Sequence, residues 1–158
     1  MALSWRSARM DDAVLLWRWA NDAETRRRSF NPAPIPYTDH VAWLDGRLAS
    51  AATRLWIVSD EIGPVGQLRA DLADGVAEIS LAVAPERRGQ GLGSAMLRQA
   101  LSAVAAAWGD VRLRARVFAD NAASLRMFRR CGFREVDTEG AAGGGVIVFE
   151  LAGDGEGR

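Results

Sequence analysis

Residues 83–94 read Val83-Ala-Pro-Glu-Arg-Arg-Gly-Gln-Gly-Leu-Gly-Ser94, a loop of arginines and glycines between two apolar runs of different period. The run before it, Val76 to Val83, is apolar and partly alternating, as in a strand. The run after it, Leu92 to Trp108, carries apolar residues at helical spacing. A strand that passes through glycines into a helix leaves the first-turn N–H groups of that helix pointing outward, without intrahelical partners. Those N–H groups and the helix dipole favour an anion, and Arg88 adds a guanidinium. The segment therefore predicts a phosphate cradle, with Arg88 and the N–H groups of Gly89, Gly91, Gly93 and Ser94 as its donors. Arg87 has two readings, toward the anion or away from it.

Two common phosphate loops do not fit. A P-loop closes on Gly-Lys-Ser/Thr, and the chain has no lysine at all. A dinucleotide fingerprint needs Gly-x-Gly-x-x-Gly after the first strand of a βαβ unit, whereas Gly89, Gly91 and Gly93 alternate late in the chain. A second motif lies downstream, Asn121-Ala-Ala-Ser124-Leu-Arg-Met-Phe128-Arg-Arg-Cys-Gly132-Phe133. Arg88-Gly89-Gln90-Gly91-Leu92-Gly93 resembles the acyl-CoA pyrophosphate loop of the GNAT superfamily of N-acetyltransferases, Arg/Gln-x-x-Gly-x-Gly/Ala. The downstream motif resembles the later helix of the same superfamily, with Asn followed seven residues on by an aromatic and closing in Gly-Phe. Both motifs in this order, over roughly residues 76–135, are far more specific than either alone.

The resemblance implies acetyl-CoA as cofactor and a primary amine as acceptor. It also implies a fold, a mixed, mostly antiparallel, splayed sheet of the α/β (α+β) class flanked by about four helices. The residues themselves give the same outline. Leu3 to Arg9 reads as a strand, followed by a helix capped by Asp11 or Asp12 and carrying Val14, Leu15, Trp17 and Trp19. Residues 22–37 read as a loop, because Asn31-Pro-Ala-Pro-Ile-Pro36 restricts the backbone at three prolines. Thr38 is the expected cap of a second helix through Leu48. Strands follow at Arg54–Ser59, Val65–Asp71 and Val76–Val83, the last two joined by Asp74-Gly75. After the long helix come a strand at Val111–Phe118, a helix at Asn121–Cys131 and strands at Phe133–Thr138 and Val146–Leu151, the last two flanking a flexible Gly140–Gly145.

Length and composition set bounds. At 158 residues the chain fits one domain, expected over 1–152, with 153–158 as a disordered tail. Twenty cations balance twenty acids, which removes the basic excess of a nucleic-acid binder. No apolar run is long enough to span a membrane and the N-terminus lacks a signal-peptide core, so the expected location is the cytoplasm. The single cysteine, Cys131, forms neither an internal disulfide nor a zinc site, and no metal is expected. A homodimer is left open.

Acetyl transfer to an amine needs a base, because only the neutral amine attacks a thioester. Glu78 interrupts the apolar strand Val-Ala-Glu-Ile-Ser-Leu-Ala-Val, where superfamily members that use a strand glutamate place theirs. In a mostly dry cleft its pKa would rise toward useful base strength. A glutamate that pairs with a cross-strand arginine such as Arg69, or faces water, is the competing reading. The resemblance further assigns backbone groups near Leu81 and Val83 to the pantetheine amides and Asn121 to the pantetheine arm, Asn121 being also a natural helix cap. Ser124 and Arg129 fall near the phosphate or adenine end, or else on a solvated helix face. Many members carry a tyrosine where this chain has Phe128. Phenylalanine cannot protonate a departing thiolate, and the resemblance leaves it the role of packing beside the sulfur end of the cofactor.

The acceptor end is read from the first two helices and their loop. Leu16-Trp-Arg-Trp-Ala-Asn-Asp-Ala-Glu-Thr-Arg-Arg-Arg-Ser-Phe30, with His40 and Trp43-Leu44, resembles acetyltransferases of nucleotide-linked amino sugars of the pseudaminic-acid type. On that reading Arg26 forks a diphosphate, and Trp17, Phe30 and His40 line the acceptor, a UDP-linked amino sugar. The alternatives are a protein N-terminal or small-amine acetyltransferase, or a non-catalytic acyl-CoA-binding domain, which Phe128 motivates. Transfer is expected to be direct, in a ternary complex.

Overall fold

The structure is a computed structural model and describes residues 2–140 and 144–152. Seven strands, β1 (Ser4–Ser7), β2 (Thr53–Ser59), β3 (Pro64–Ala73), β4 (Val76–Val83), β5 (Arg112–Phe118), β6 (Arg134–Glu139) and β7 (Val146–Leu151), follow the order β1-β2-β3-β4-β5-β7-β6. The β1–β2, β5–β7 and β6–β7 pairs are antiparallel, while β4 and β5 run parallel through Val76–Arg112, Ala77–Leu113 and Glu78–Arg114. The helices are α1 (Ala13–Ala20), α2 (Ala23–Arg27), α3 (Tyr37–Ala49), α4 (Leu92–Trp108) and α5 (Ala122–Arg130), with 3-10 turns at Met10–Asp12 and Pro85–Arg87. Among the described residues no helix is long and apolar enough to cross a membrane. The expected tail, 153–158, and part of the expected flexible segment, 141–143, lie outside the described residues.

The mixed sheet is the one expected, but among the described residues the helices number five. The addition is α2, inside the stretch read as a loop. Asp22 caps it by accepting the Thr25 N–H at 3.2 Å, and five residues are too few for apolar periodicity to show. Two expected caps are also corrected. Asp12 stands before α1, yet its carboxylate takes two bonds from Arg6 of β1, at 2.9 and 2.7 Å, and the Arg9 N–H at 2.8 Å. Helix α3 starts two residues early, after extended Pro36, so Thr38 falls within its first turn.

The chain divides into two compact units. One comprises the chain up to Arg69 and Leu81–Leu92, the other Ala70–Ser80 and the chain from Gly93 on. In the first, Leu16 and Trp19 of α1 meet Leu44 of α3, Leu55 and Ile57 of β2, and Ala84. Leu44 is fully buried, a position where truncation to alanine costs about 2–5 kcal/mol. In the second, strict alternation along β5 buries Leu113, Ala115 and Val117 and turns Arg112, Arg114 and Arg116 to the other face. Met96, Leu97, Ala100 and Val104 form the buried stripe of α4. The Phe128 ring lies edge-on to Phe133 at 5.1 Å and stacks on Phe149 at 5.4 Å.

Strands β3 and β4 approach closely at one point. A Cβ placed on Gly66 would lie 2.2 Å from the carbonyl oxygen of Ala82, and the Ala84 N–H donates to the Val65 carbonyl at 2.7 Å beside it. Only glycine leaves room for that carbonyl.

Candidate acetyl-CoA and acceptor site

The glycine loop has the backbone the sequence predicts. Gly89 and Gly91 hold φ of 78° and 74°, the left-handed region that glycine enters without cost, and nothing lies within 4 Å of the Cβ position at either. A ligand's phosphate thus has room against the backbone just before α4 begins at Leu92. The loop is fastened at its start by Arg87, which turns inward. Its guanidinium and the Asp60 carboxylate form a bidentate pair, with side chains only 10% and 7% exposed. Asp60 also accepts the N–H groups of Ile62 and Gly63 at 3.0 and 3.2 Å. Arg87 hence serves the loop's shape, and of its two readings the one that turns away from an anion is the one observed.

Hydrogen bonds from Arg87 pull the Asp60 carboxyl down to about 2. A folded value below the unfolded one of about 3.9 stabilises fully above pH 4, and that contribution is lost as pH falls toward 2. In Asp60→Asn the melting temperature at pH 7 is expected to drop by on the order of 5 °C, because Arg87 is left buried without its counter-charge. The further loss between pH 4 and pH 2 should shrink in the variant. Thermal melts across that range check both, and an unchanged acid dependence would remove Asp60 from the account.

Arg88 is one-third exposed and holds Asp22 at 2.6 Å and the Thr25 hydroxyl at 3.2 Å. Asp22, the cap of α2, is kept below the usual carboxylate range chiefly by that guanidinium. The expected pyrophosphate ligand is therefore paired within the acceptor-side loop. Gly93 and Ser94 lie in the first turn of α4, and the Cys131 thiol lies 3.8 Å from the Ser94 carbonyl, a helix-end position. Leu81 and Val83 are half-buried on β4. Asn121 caps α5, its Oδ1 accepting the Ser124 N–H at 3.3 Å. Arg129 turns to Glu135, and Phe128, 6% exposed, is enclosed by its two aromatic neighbours.

Glu78 does not sit in a dry setting. Its side chain is 44% exposed and ion-paired, and the partner is Arg116 of β5. Among the four acceptor-side residues, three are structural in their contacts. Arg26 donates to the carbonyls of Ala20 at 2.5 Å, Asn31 at 3.0 Å and Ala33 at 3.4 Å, and to the Ser29 hydroxyl at 3.0 Å. Burial without a carboxylate lowers its pKa. The Trp17 indole N–H donates to the Ile35 carbonyl at 2.8 Å, and Asn21 clasps the same residue from both sides. His40 is 4% exposed with Nε2 unpaired, and burial holds its pKa below the ordinary value. Phe30, by contrast, is 71% exposed.

Asp22, Asp60, Gly66 and Arg116 went unread in the sequence as site residues. Asp22-x-x-Thr25 and Asp60-x-x-Gly63 carry the signal of a carboxylate that bonds local N–H groups. Gly66 carries the signal of an isolated glycine inside a strand. Among the described residues no group of His, Cys, Asp and Glu is arranged to hold a metal ion.

A sheet whose fourth strand runs into an Arg-Gly loop and a long helix, followed by an Asn-capped helix closing in Gly-Phe, has the arrangement that the resemblance to the GNAT superfamily implies. A profile of the acetyltransferase (GNAT) domain matches residues 3–134, and the chain belongs to that family. It is 30% identical over 129 residues to an L-2,4-diaminobutyric acid acetyltransferase of Nocardia farcinica. That match covers 78% of this chain, which spans 60% of the length of the relative. In fold it is similar to spermidine N-acetyltransferase from Vibrio cholerae in complex with CoA and spermine, with a TM-score of 0.85 and 18% identity over 96% of this chain and 95% of that one. Aminoglycoside acetyltransferase AAC(6')-Ib with ribostamycin and coenzyme A gives 0.83 and 17%, over 96% and 94%. The names of these relatives are those of diaminobutyrate, spermidine and aminoglycoside enzymes. The resemblance read from the sequence thus holds for the family, and its narrower form, a nucleotide-linked amino-sugar enzyme, is not supported by them.

Proposed function

We propose that the protein transfers the acetyl group of acetyl-CoA to a primary amine of a small cationic acceptor, a diamine, polyamine or aminoglycoside-like compound, by direct attack in a ternary complex. The observation that carries the choice of acceptor is Arg26. A diphosphate would need its guanidinium, and four of its five N–H groups are spent on Ala20, Asn31, Ala33 and Ser29. The diaminobutyrate and spermidine relatives support the same choice.

Acetyl-CoA supplies an activated acyl group on a thiol leaving group. The N–H groups of Gly89, Gly91, Gly93 and Ser94 hold its pyrophosphate, and Arg88 trades the Asp22 carboxylate for phosphate. Leu81 and Val83 offer backbone groups to the pantetheine amides, and Asn121 offers its side chain. Glu78 takes the proton from the acceptor ammonium. Phe128 has no proton to give, and the thiol's pKa of about 8.5 means that departure as thiolate at pH 7 costs only about 2 kcal/mol. Transfer without a general acid is slower and still feasible.

The test is CoA release from acetyl-CoA at pH 7 and 8.5 with diaminobutyrate, spermidine, an aminoglycoside, an N-terminal peptide and a UDP-linked 4-amino sugar. Selective turnover of a small amine is the expected result. Turnover of the nucleotide sugar alone would overturn the acceptor assignment. Tight acetyl-CoA binding with no turnover would favour the non-catalytic reading that Phe128 motivates.

A further inference from the structure

Glu78 and Arg114 are direct partners in the β4–β5 register, yet Arg114 is turned away, bonding Glu150 at 3.1 and 2.8 Å. Arg112 leans toward the same Glu150, at 3.9 Å. The cation that reaches Glu78 is Arg116, two residues further along β5 on the same face. Arg116 is itself shared, since its Nε donates to the Glu139 carboxylate of β6 at 2.8 Å. One guanidinium thus stands between two carboxylates, and β3, which ends just before the Asp74–Gly75 turn into β4, carries a further one, Asp71. The three side chains are between one-third and one-half exposed, and pairs so exposed add little to stability. Their consequence is electrostatic.

We propose that Arg116 is a positioning residue for Glu78, aiming its carboxylate and holding it ionised, and that Glu139 moderates this by drawing off part of the same guanidinium. An unshared arginine would make Glu78 a poor base by stabilising its charged form too strongly. Shared, Arg116 fixes the carboxylate while the trio keeps a net charge of −1, which attracts a cationic amine. The inference rests on Glu78 being the base that accepts the acceptor's proton.

The experiment titrates Glu78 directly, by carbon-13 NMR of the glutamate carboxyls in the full chain, with the Glu78 signal identified by its loss in Glu78→Gln. In Arg116→Gln the Glu78 midpoint is expected to rise by about one pH unit or more, in Arg116→Lys by less, and in Glu139→Gln to fall. The acid limb of kcat/KM for the accepted amine should move with it in each variant, a readout that a purely structural arginine would not shift. A Glu78 midpoint unmoved in Arg116→Gln overturns the proposal. Full turnover in Glu78→Gln would instead overturn the base assignment on which it rests, and the two failures are separable because the titration is read without turnover.

Discussion

In Glu78→Gln, kcat/KM for the accepted amine at pH 7 is expected to fall by about 10²–10⁴-fold, the usual contribution of a positioned general base. Glutamine keeps the size of the side chain and a hydrogen-bonding oxygen facing Arg116, so the sheet around it is undisturbed, and only the ability to accept a proton is removed. An alkylamine with a pKa of about 10.4 is neutral in fewer than roughly one molecule in 10³ at pH 7, which is why the loss should be large. Raising the pH increases the neutral fraction without help from the protein. The deficit should therefore narrow between pH 7 and 8.5, while the KM for acetyl-CoA stays close to that of the parent. Steady-state CoA release at the two pH values measures this, and equal rates for variant and parent at pH 7 would take Glu78 out of the reaction.

Gly66→Ala is expected to cost about 3 kcal/mol, equivalent to a fall in melting temperature of roughly 6–12 °C for a chain of this size. The added methyl would lie 2.2 Å from the Ala82 carbonyl oxygen, a backbone atom that no rotamer change can move aside. Strand β4 would have to shift away from β3, and the Ala84-to-Val65 hydrogen bond beside the contact would stretch with it. Ala82 lies between Leu81 and Val83, the residues assigned to pantetheine, so acetyl-CoA affinity should weaken together with stability. Thermal melts and a CoA titration test the pair of effects. A variant melting within about 2 °C of the parent would show that the strands part easily.

The strands and long helices were legible because their cores repeat. Leu113, Ala115 and Val117 alternate, and Met96, Leu97, Ala100 and Val104 return on one face of α4, so burial wrote the period into the chain. The glycine loop was legible because left-handed backbone at Gly89 and Gly91 selects the residue type. Helix α2 was hidden by its length and by the arginines that dominate it. The acceptor side is less legible for a related reason. Arg26 and Trp17 have the chemistry of ligand contacts, and their actual partners, the carbonyls of Ala20, Asn31 and Ile35, are main-chain groups that any sequence possesses. Pairings at long sequence separation, Arg87 with Asp60 and Arg116 with Glu78 and Glu139, depend on register and rotamer and leave no local trace.

Every cation that braces this fold is an arginine, from Arg6 on Asp12 to Arg114 on Glu150. Guanidinium is not a nucleophile toward thioesters at neutral pH, since it keeps its proton far above that range. If the protein works as proposed, it offers acetyl-CoA no side-chain amine to acetylate, since the chain has no lysine. Its surface can sit in concentrated acetyl-CoA without spontaneous acylation eroding the ion pairs, a chemical inertness that lysine in the same positions would not provide.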